Sequence, residues 1–508
     1  MSPTSGSHDA AQAGSHVPPG ALAGQPSPVA DRTWWDLVVI GGGTAGIVSA
    51  KTAARFGANV LLVERGEPGG DCLWTGCVPS KSLLAAAEAV AAAGRAAQFG
   101  VEVPVVKVDF SRVMAHVHGA IAQIAPTDSA ETLAAAGVRV RQGTARFTSR
   151  STVDVDGDPV RFRQAVLATG ARPAVPGIPG LADAHPLTSD TIWGLEQVPS
   201  QLAVLGGGSI GCELGQAFAR LGSQVTIVEG DDRIVPREDQ HAADVLAAAL
   251  SGDGVSIATG RNVVNVTGRS GQAGTLELED GSTVDFDHLL VAVGRSPRTA
   301  ALELGIARVQ TDQRGFVTVS STLQTSNPRI WAAGDLTGHP QLTHLAGVHA
   351  SIAASNAILG LRRKVSTTAV PRVTFTHPEI AAVGVGTQSP GRGLQVRHWS
   401  NEHVDRAVAE SSTEGFTRLV IDRRGRILGA TVVGPRAGET LAELTLAVKQ
   451  GLRTRDLAGT THPYPTYGDG PWNAAIADVQ QRLGHPGTAL AIRALTTWRR
   501  WRLRAPTP

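Results

Sequence analysis

The same short pattern occurs twice in this sequence: an apolar run, a glycine-rich turn and a helical stretch. The first copy runs from Trp35–Ile40 into Gly41-Gly42-Gly43-Thr44-Ala45-Gly46. The second copy runs from Leu202–Leu205 into Gly206-Gly207-Gly208-Ser209-Ile210-Gly211. This is the order of a strand, a tight turn and a helix in a βαβ unit. The repeat predicts two dinucleotide-binding units and therefore an α/β fold.

The spacing of the glycines has a physical reason in such a unit. The first glycine permits the tight turn, the second lets backbone N–H groups approach a pyrophosphate, and the third lets the helix pack on the sheet. An acid at the end of the following strand, about 20 residues further on, accepts a hydrogen bond from an adenosine ribose. The glycines are Gly41, Gly43, Gly46, Gly206, Gly208 and Gly211, and the acids are Glu64 and Glu229.

Length and composition narrow the class of protein. With 508 residues the chain is too long for a single core, and several domains are expected. A net charge of +2 gives no indication of a nucleic-acid partner, and three cysteines cannot form the disulfide framework of a secreted protein. Residues 1–30 are rich in Ser, Pro, Gly and Ala without a signal-peptide pattern, so a disordered extension and a cytoplasmic location are expected.

The segment with the most specific chemistry is Cys72-Leu73-Trp74-Thr75-Gly76-Cys77-Val78-Pro79-Ser80-Lys81. A pair of buried small hydrophobes is one interpretation, and a metal site is disfavoured because no second pair of ligands lies at suitable spacing. Residues five apart on an ideal helix have Cα atoms about 8–9 Å apart, beyond the roughly 7 Å limit for a disulfide. A bridge between Cys72 and Cys77 therefore needs a distorted turn, which Gly76 permits, and such a bridge is easily reduced. Cys212 is expected only to pack.

Together with the two glycine turns, Gly334-Asp335 and an α+β pattern from about Pro371, this segment resembles the class I pyridine nucleotide-disulfide oxidoreductases. That family includes dihydrolipoamide dehydrogenase, glutathione reductase and mercuric reductase, and the resemblance covers Trp35 to Arg482. It implies two Rossmann-like domains, a C-terminal α+β dimerisation domain, FAD and NAD(P)H as cofactors, and a homodimer. It also implies that electrons pass from the nicotinamide through FAD to a redox-active cysteine pair.

The resemblance implies a domain organisation as well. The expected boundaries are residues 1–30 for the extension, 31–182 and 299–368 for the two parts of an FAD-binding domain, 183–298 for an NAD(P)-binding domain, 369–482 for the dimerisation domain and 483–508 for a basic tail. The tail segment Trp498-Arg499-Arg500-Trp501-Arg502-Leu503-Arg504 combines basic and aromatic residues. A solvated tail is the favoured interpretation, and contact with an anionic membrane surface, which basic and aromatic residues together suit, is the alternative.

The resemblance also assigns roles to individual residues. Cys77 would be the thiol beside the flavin and Cys72 the thiol that attacks the acceptor, while Lys81 and Glu213 would form an ion pair beside the flavin N5. The residues expected at FAD are Gly41, Gly43, Gly46, Glu64, Lys81, Thr169, Gly170, Asp335 and Leu342-Thr343-His344. Those expected at the nicotinamide dinucleotide are Gly206, Gly208, Gly211, Glu229 and Gly294.

The acid at the end of the second unit bears on the choice of nicotinamide cofactor. The carboxylate of Glu229 would repel the 2′-phosphate of NADPH, which favours NADH. Arg233 and Arg237 follow closely in the sequence and offer positive charge to that phosphate, so the sequence leaves NADPH open.

The C-terminal segment departs from the family pattern, in which a His-Pro-Thr segment and an acid five positions after the His supply a base across the dimer. This chain reads His462-Pro463-Tyr464-Pro465-Thr466-Tyr467-Gly468-Asp469, which places Tyr464 where the His belongs and Asp469 at the acid. Tyrosine, with a pKa of about 10, is a poor base at neutral pH. Tyr464 and Asp405-Arg406-Ala407 are similar to mercuric reductase, yet the chain lacks that enzyme's C-terminal cysteine pair.

The electron acceptor therefore stays open between a small disulfide, a soft metal ion and a quinone, and no resident metal site is predicted. In a diaphorase or quinone reductase the flavin would reduce the acceptor directly, and the cysteines would be dispensable. A third interpretation is a redox or metal sensor with little turnover.

Overall fold

The computed structural model describes residues 34–387 and 391–503. Two mainly parallel sheets flanked by helices are followed by an antiparallel sheet packed against helices. This is the α/β class with an additional α+β domain that the repeated pattern and the family resemblance predicted. The predicted extension over residues 1–30 lies outside the described residues. Among the helices in the described part of the chain, none is long and apolar enough to cross a lipid bilayer.

The elements of the first unit, in chain order, are β1 (Trp34–Ile40), α1 (Thr44–Arg55), β2 (Val60–Glu64), α2 (Gly70–Trp74), α3 (Cys77–Arg95), α4 (Phe110–Ile124), α5 (Ala130–Ala135), β3 (Val138–Gln142), β4 (Ala145–Ser149), β5 (Thr152–Val155), β6 (Asp158–Leu167) and β7 (Ala171–Pro173). The first sheet has the strand order β3-β2-β1-β6-β5-β4, and β1 pairs in parallel with both β2 and β6. The β1 side chains Leu37–Ile40 are buried, as in a parallel strand covered on both faces.

The next segment repeats this arrangement. Its elements are β8 (Leu187–Thr188), β9 (Gln201–Leu205), α6 (Ser209–Arg220), β10 (Gln224–Glu229), α7 (Gln240–Gly252), β11 (Ser256–Thr259), β12 (Val263–Gly268), β13 (Gly274–Leu278), β14 (Thr283–Phe286), β15 (His288–Val291) and β16 (Arg295–Pro297). The parallel sheet has the order β11-β10-β9-β15-β8, and β12, β13 and β14 form a separate antiparallel sheet. Strand β16 pairs with β7, which returns the chain to the first unit.

The chain then completes the first unit before it enters the last domain. Strand β17 (Ile330–Ala332) pairs in parallel with β6, and helix α8 (Thr343–Leu359) packs against α1. Since β17 is added to the sheet that already contains β1, its carboxyl end and Gly334 lie at the same edge as the first glycine turn. A cluster of buried side chains that includes Val39, Ala50 and Ala353 joins these elements.

The elements of the last domain are β18 (Arg372–Thr374), β19 (Glu379–Gly384), β20 (Gln395–Ser400), α9 (Asp405–Ala409), β21 (Phe416–Ile421), β22 (Ile427–Gly434), α10 (Ala437–Gln450), α11 (Thr454–Ala458), α12 (Asp469–Leu483) and α13 (Pro486–Arg502). Its strands form an antiparallel sheet of order β18-β19-β22-β21-β20. Helices α10 and α12 pack on this sheet through buried residues such as Leu441, Leu444 and Ala474. The C-terminal segment expected as an appended tail is thus largely helical.

Candidate active site

Both glycine turns need glycine at their first and third positions, for different reasons. Gly41 has φ +106° and Gly206 has φ +111°, a region that residues with a Cβ atom rarely adopt. A Cβ atom on Gly46 would lie 1.7 Å from the carbonyl oxygen of Gly41, and one on Gly211 would lie 1.9 Å from that of Gly206. The first position therefore sets the turn, and the third lets the helix pack directly on it.

The first turn presents an uncapped helix N-terminus beside a fixed carboxylate. Gly43 precedes α1 and has no side chain to cap the first N–H groups of the helix, which leaves them for an anion. The carboxylate of Glu64, at the end of β2, accepts hydrogen bonds from the N–H groups of Gly42 and Gly66 at 2.5 and 2.9 Å. The backbone thereby holds Glu64 at the position of a ribose-binding acid.

The second turn has the same design. Glu229 accepts hydrogen bonds from the N–H groups of Gly207 and Asp231 at 2.7 and 3.0 Å. Arg233, one of the two nearby arginines, donates to the carbonyl oxygen of Pro236 at 2.9 Å. Negative charge is therefore fixed at the end of β10, where an adenosine ribose would bind.

A cavity extends from Glu64 along the first glycine turn to the cysteine segment. Its walls come from the ends of β1, β2, β6 and β17, from the start of α8 and from the segment after β16. The described residues that line it include Gly41, Gly43, Glu64, Asp71, Cys72, Thr169, Gly170, Arg298, Asp335 and Thr343. Most residues expected at FAD thus lie around one cavity, and Gly46 lies behind its wall, where α1 packs on the turn.

The helix that carries the cysteines is interrupted between them, as the geometric argument required. Helix α2 ends at Trp74 and α3 begins at Cys77, with Thr75 and Gly76 between them. A Cβ atom on Gly76 would lie 2.7 Å from the carbonyl oxygen of Asp71, so this break depends on glycine. The two thiols are consequently close enough to form a hydrogen bond with each other.

The two thiols have opposite acidities. The hydrogen bond from Cys72 lowers the pKa of Cys77 to about 6, and Thr343 and the positive charge of Lys81 act in the same direction. The same hydrogen bond, together with burial, raises the pKa of Cys72. Cys77 Sγ also lies 3.3 Å from Thr343 Oγ1 at the start of α8. In the reduced pair, the negative charge therefore belongs on Cys77.

An ion pair links α3 to the second unit next to the thiols. Lys81 lies one helical turn after Cys77, and its Nζ is 2.8 Å from Glu213 Oε2 on α6. Glu213 is buried and also accepts a hydrogen bond from the N–H of Phe375 at 2.9 Å. Lys81 Nζ lies 4.3 Å from the centre of the Phe375 ring. Lys81 is thus held between two domains with its charge close to Cys77.

Sequence reasoning missed a second charged network beside the cysteines. Asp71 pairs with Arg295, and Arg298 lies 3.7 Å from Asp71 and 3.1 Å from Asp190. Burial raises the pKa of Asp71 even though both arginines oppose this shift. Burial also raises the pKa of Asp335 to about 6, again against Arg295. The sequence feature that could have indicated this network is the position of Asp71 directly before Cys72.

The C-terminal segment lies apart from the cavity within one chain. Tyr464 is 68% exposed, and its hydroxyl donates a hydrogen bond to Asp405, which raises the pKa of Tyr464. His462 is stacked on Trp472, its Nε2 lies 3.0 Å from Glu443 Oε1, and only 7% of its side chain is exposed, which leaves the imidazole poorly accessible to a partner group. Among the described residues, Tyr464 is not part of the cavity wall that includes Cys72.

The acid of this segment is buried. Asp469 Oδ2 accepts a hydrogen bond from the N–H of Thr466 at 3.3 Å, while Oδ1 has no hydrogen-bond partner among the described residues.

Gly294 and His344, which the family resemblance placed at the cofactors, contact backbone groups of other segments. The carbonyl oxygen of Gly294 accepts from the N–H of Ala174, and His344 Nε2 lies 2.8 Å from the carbonyl oxygen of Pro371.

The third cysteine lies in the core. Cys212 is fully buried on α6, its thiol donates to the carbonyl oxygen of Gly207 at 3.3 Å, and burial raises its pKa. These contacts agree with a packing role for Cys212.

Within the described residues, no group of three or more His, Cys, Asp or Glu side chains is arranged to hold a metal ion.

Two glycine turns, each with a carboxylate held at the position expected of a ribose-binding acid, and a nearby cysteine pair that opens onto one of them indicate a dinucleotide-dependent dithiol oxidoreductase. The chain belongs to the pyridine nucleotide-disulphide oxidoreductase family. Residues 35–350 match the family's oxidoreductase profile, and residues 370–475 match its dimerisation domain. It is therefore an NAD(P)H-dependent flavoprotein disulfide reductase, and the dimerisation domain supports the predicted homodimer.

Named relatives agree with this assignment. A mercuric reductase of Streptomyces lividans is 38% identical over 86% of this chain and 94% of its own length. A dihydrolipoyl dehydrogenase of Thermus scotoductus is 36% identical over 87% of this chain and 97% of its own length. Among solved structures, LpdA from Mycobacterium tuberculosis has a TM-score of 0.80 at 27% identity, covering 87% of this chain and 99% of that one. The HOCl-induced flavoprotein disulfide reductase RclA from Escherichia coli has a TM-score of 0.77 at 28% identity, covering 86% and 98%.

The residues around the cavity fit FAD, the cofactor of this family. The uncapped N-terminus of α1 suits a pyrophosphate, and the carboxylate of Glu64 suits an adenosine ribose. The buried carboxyl of Asp335 suits a hydroxyl-rich ribityl chain, and the cavity reaches Cys72 at its other end.

Proposed function

We propose that this protein is a mercuric-reductase-like flavoenzyme that oxidises NADH and reduces a thiophilic acceptor, either a small disulfide or a soft metal ion, through Cys72 and Cys77. The observation that carries the proposal is the placement of the two thiols: Cys72 lines the cavity, and Cys77 Sγ lies 3.3 Å from Thr343 Oγ1 and one helical turn before Lys81. The hydrogen bond from Cys72, Thr343 and the positive charge of Lys81 all lower the pKa of Cys77. A pair used only for packing would not need an open cavity and a fixed positive charge beside it.

Each residue of the site has a distinct part in the proposal. FAD, when bound, supplies a two-electron carrier between the nicotinamide and the thiol pair. Lys81 provides a fixed positive charge, and Glu213 orients it. Thr343 and Cys72 stabilise the Cys77 thiolate through hydrogen bonds. Cys72 then attacks a disulfide sulfur or binds a soft metal ion.

The preferred nicotinamide cofactor is NADH. Two backbone N–H groups fix the carboxylate of Glu229 where a 2′-phosphate would have to enter. The neighbouring Asp231 and Asp232 are exposed and add negative charge to the same turn. Repulsion between these groups and the phosphate disfavours NADPH.

The C-terminal segment favours a soft metal ion over a disulfide. Disulfide interchange needs a group that accepts the Cys72 proton and returns it to the leaving thiol. Tyr464 is a weak base that is already bonded to Asp405, and His462 is stacked on Trp472 with only 7% of its side chain exposed. A soft metal ion promotes thiol deprotonation when it binds, so it depends less on such a base.

We further propose that Tyr464 and Asp469 act in the active site of a partner subunit. The phenol of Tyr464 is exposed, and Asp469 has one buried oxygen without a hydrogen-bond partner among the described residues. Both lie in the region that matches the family's dimerisation domain. In a homodimer each chain would complete the acceptor pocket of the other.

The decisive experiment is a steady-state screen of the FAD-loaded enzyme against Hg(II), oxidised lipoamide, glutathione disulfide and a soluble quinone, with NADH and NADPH in parallel. The Cys72→Ser variant is the matched control for each acceptor. We expect NADH-dependent reduction of Hg(II) or a disulfide that Cys72→Ser abolishes. Full quinone reduction by Cys72→Ser, without any thiol-dependent acceptor, would assign a diaphorase instead. Turnover near zero with every acceptor would indicate a sensor.

A further inference from the structure

Helix α13 (Pro486–Arg502) projects from the end of the dimerisation domain without entering its core. None of its side chains is buried, although the helix is 17 residues long. Leu490 is 70% exposed, Leu495 64%, Trp498 50% and Trp501 67%. Helices of this length gain most of their stability from packing an apolar face against another surface. We therefore expect the apolar side chains of α13 to pack against a surface that is not part of the described fold.

Four of the exposed apolar side chains form a stripe along one face of α13, and Leu495 lies at the edge of that face. Leu490, Ala494, Trp498 and Trp501 follow one another at intervals of four, four and three residues, which keeps them on one side of a helix. Ile492 and Leu503 lie toward the opposite side by the same periodicity. The stripe therefore has a defined direction, and its two tryptophans are in the C-terminal third of the helix.

Positive charge surrounds this stripe. By helical periodicity Arg502 lies on one side of the stripe, Arg493 and Arg500 lie on the other, and Arg499 lies toward the opposite face. The Arg502 guanidinium stands 5.4 Å from the centre of the Trp498 ring. The chain has no Asp or Glu after Asp478. The charge on α13 is thus of one sign.

A second group of arginines lies at the base of the helix. Arg482, at the end of α12, donates hydrogen bonds to the carbonyl oxygens of Arg423 and Asp422. This places the exposed turn with Arg423 and Arg424 next to the point where α13 begins. Basic charge therefore continues from the dimerisation domain onto the helix.

We propose that α13 binds in the plane of a lipid bilayer that contains anionic headgroups. The apolar stripe would enter the boundary between headgroups and acyl chains, with the tryptophans in the interfacial layer and the arginines against the phosphates. A second copy of α13 fits this surface poorly, because packing two stripes together would bring arginines of both helices close to each other. A nucleic acid would pair with the arginines but would leave the apolar stripe in water.

The test is co-sedimentation of the FAD-loaded full-length enzyme with phosphatidylcholine vesicles that contain or lack phosphatidylglycerol. We expect pelleting with the anionic vesicles and a strong decrease at high salt, because salt screens charges at the bilayer surface. The Arg493→Gln/Arg500→Gln variant, which changes the two arginines on one side of the stripe, should bind about 25-fold more weakly, at about fivefold for each arginine near an anionic surface. The control Arg112→Gln/Arg150→Gln removes two exposed arginines elsewhere and should bind like the unmodified enzyme.

The apolar stripe has its own matched comparison. Trp498→Ala/Trp501→Ala should lose most binding, whereas Ile492→Ala/Leu503→Ala, which removes apolar side chains from the opposite side, should lose little. A chain that ends at Leu483 should not pellet, while its flavin absorbance and NADH oxidation stay unchanged. Equal pelleting of this truncated chain, or no pelleting of the full chain, would overturn the proposal. A larger oligomer in solution that disappears on truncation, without vesicle binding, would assign α13 to contacts between copies instead.

Discussion

The ammonium group of Lys81 and the carboxylate of Glu213 are 2.8 Å apart, although 132 residues separate them in the chain. Lys81 is on α3 of the first dinucleotide unit and Glu213 is on α6 of the second. The N–H of Phe375, from the dimerisation domain, bonds to the other carboxylate oxygen. One buried carboxylate thus joins three parts of the fold close to the Cys77 thiol.

Replacing Lys81 by Met should leave the buried carboxylate of Glu213 without its counter-charge. We expect the free energy of unfolding to fall by about 1–3 kcal/mol, a moderate loss because the Lys81 side chain is 40% exposed and water screens part of the interaction. Urea unfolding monitored by flavin fluorescence measures this change. The double variant Lys81→Met/Glu213→Gln should recover most of the stability, since Gln can still accept from Phe375. Unchanged stability in the single variant would show that Glu213 is well solvated.

The thiolate of Cys77 should titrate near pH 6 when the hydrogen bond from residue 72 is kept. In Cys72→Ser the serine hydroxyl can still donate a hydrogen bond to the Cys77 thiolate. Long-wavelength absorption from a thiolate beside the flavin should therefore persist above a pH of about 6. It should fade below that pH as Cys77 gains a proton. In Cys72→Ala the donor is gone, and the midpoint should move up toward the ordinary thiol pKa of about 8.5. Spectra recorded across the pH range give both midpoints. Equal midpoints would contradict a role for this hydrogen bond.

The sequence predicted the parts of the fold that depend on local pattern. Gly41 and Gly206, with their positive φ angles, were found from the repeat alone, and the break at Gly76 followed from the reach of a disulfide. Lys81 and Glu213 became a pair only through the family resemblance, because no periodicity connects residues on two units. The network of Asp71 with Arg295 and Arg298 was missed for the same reason. Its members are adjacent only after β16 has paired with β7.

Replacing Glu229 by Ala should shift the enzyme toward NADPH. The change removes the ribose hydrogen bond and also the charge that opposes a 2′-phosphate, which at a separation of about 4 Å in water is worth about 1 kcal/mol. We expect KM for NADH to rise about tenfold and KM for NADPH to fall about fivefold. Steady-state kinetics with both cofactors measure this. The matched control is Glu64→Ala, which should weaken retention of FAD and leave the ratio between NADH and NADPH unchanged. A ratio that Glu229→Ala does not change would count against the proposed preference.

Replacing the third glycine of each turn by alanine should affect one cofactor at a time. A Cβ atom on Gly46 would lie 1.7 Å from the carbonyl oxygen of Gly41, so Gly46→Ala must displace α1 and should yield protein without FAD. Gly211→Ala should retain FAD, because the clash of 1.9 Å with Gly206 lies in the second unit, and should bind NADH poorly. Flavin absorbance and NADH titration separate the two outcomes. Gly94→Ala on α3 is the control, since no atom lies within 4 Å of the added methyl group and stability should rise by up to about 1 kcal/mol.

Replacing Tyr464 by His should supply the base that the segment lacks. Tyr464 is exposed and bonded to Asp405, so a histidine can occupy its place without disturbing the core, and an imidazole has a pKa close to neutral. General base catalysis contributes about 10²–10⁴-fold, so reduction of oxidised lipoamide or glutathione disulfide should increase by roughly 10²-fold. The pH profile should gain an acidic limb, with activity falling below the imidazole pKa as the base becomes protonated. Tyr464→Phe, which removes the hydroxyl without adding a base, should show neither change. If Tyr464→His reduces disulfides no faster than the unmodified enzyme while Cys72-dependent Hg(II) reduction is intact, the C-terminal segment does not act on the Cys72 proton.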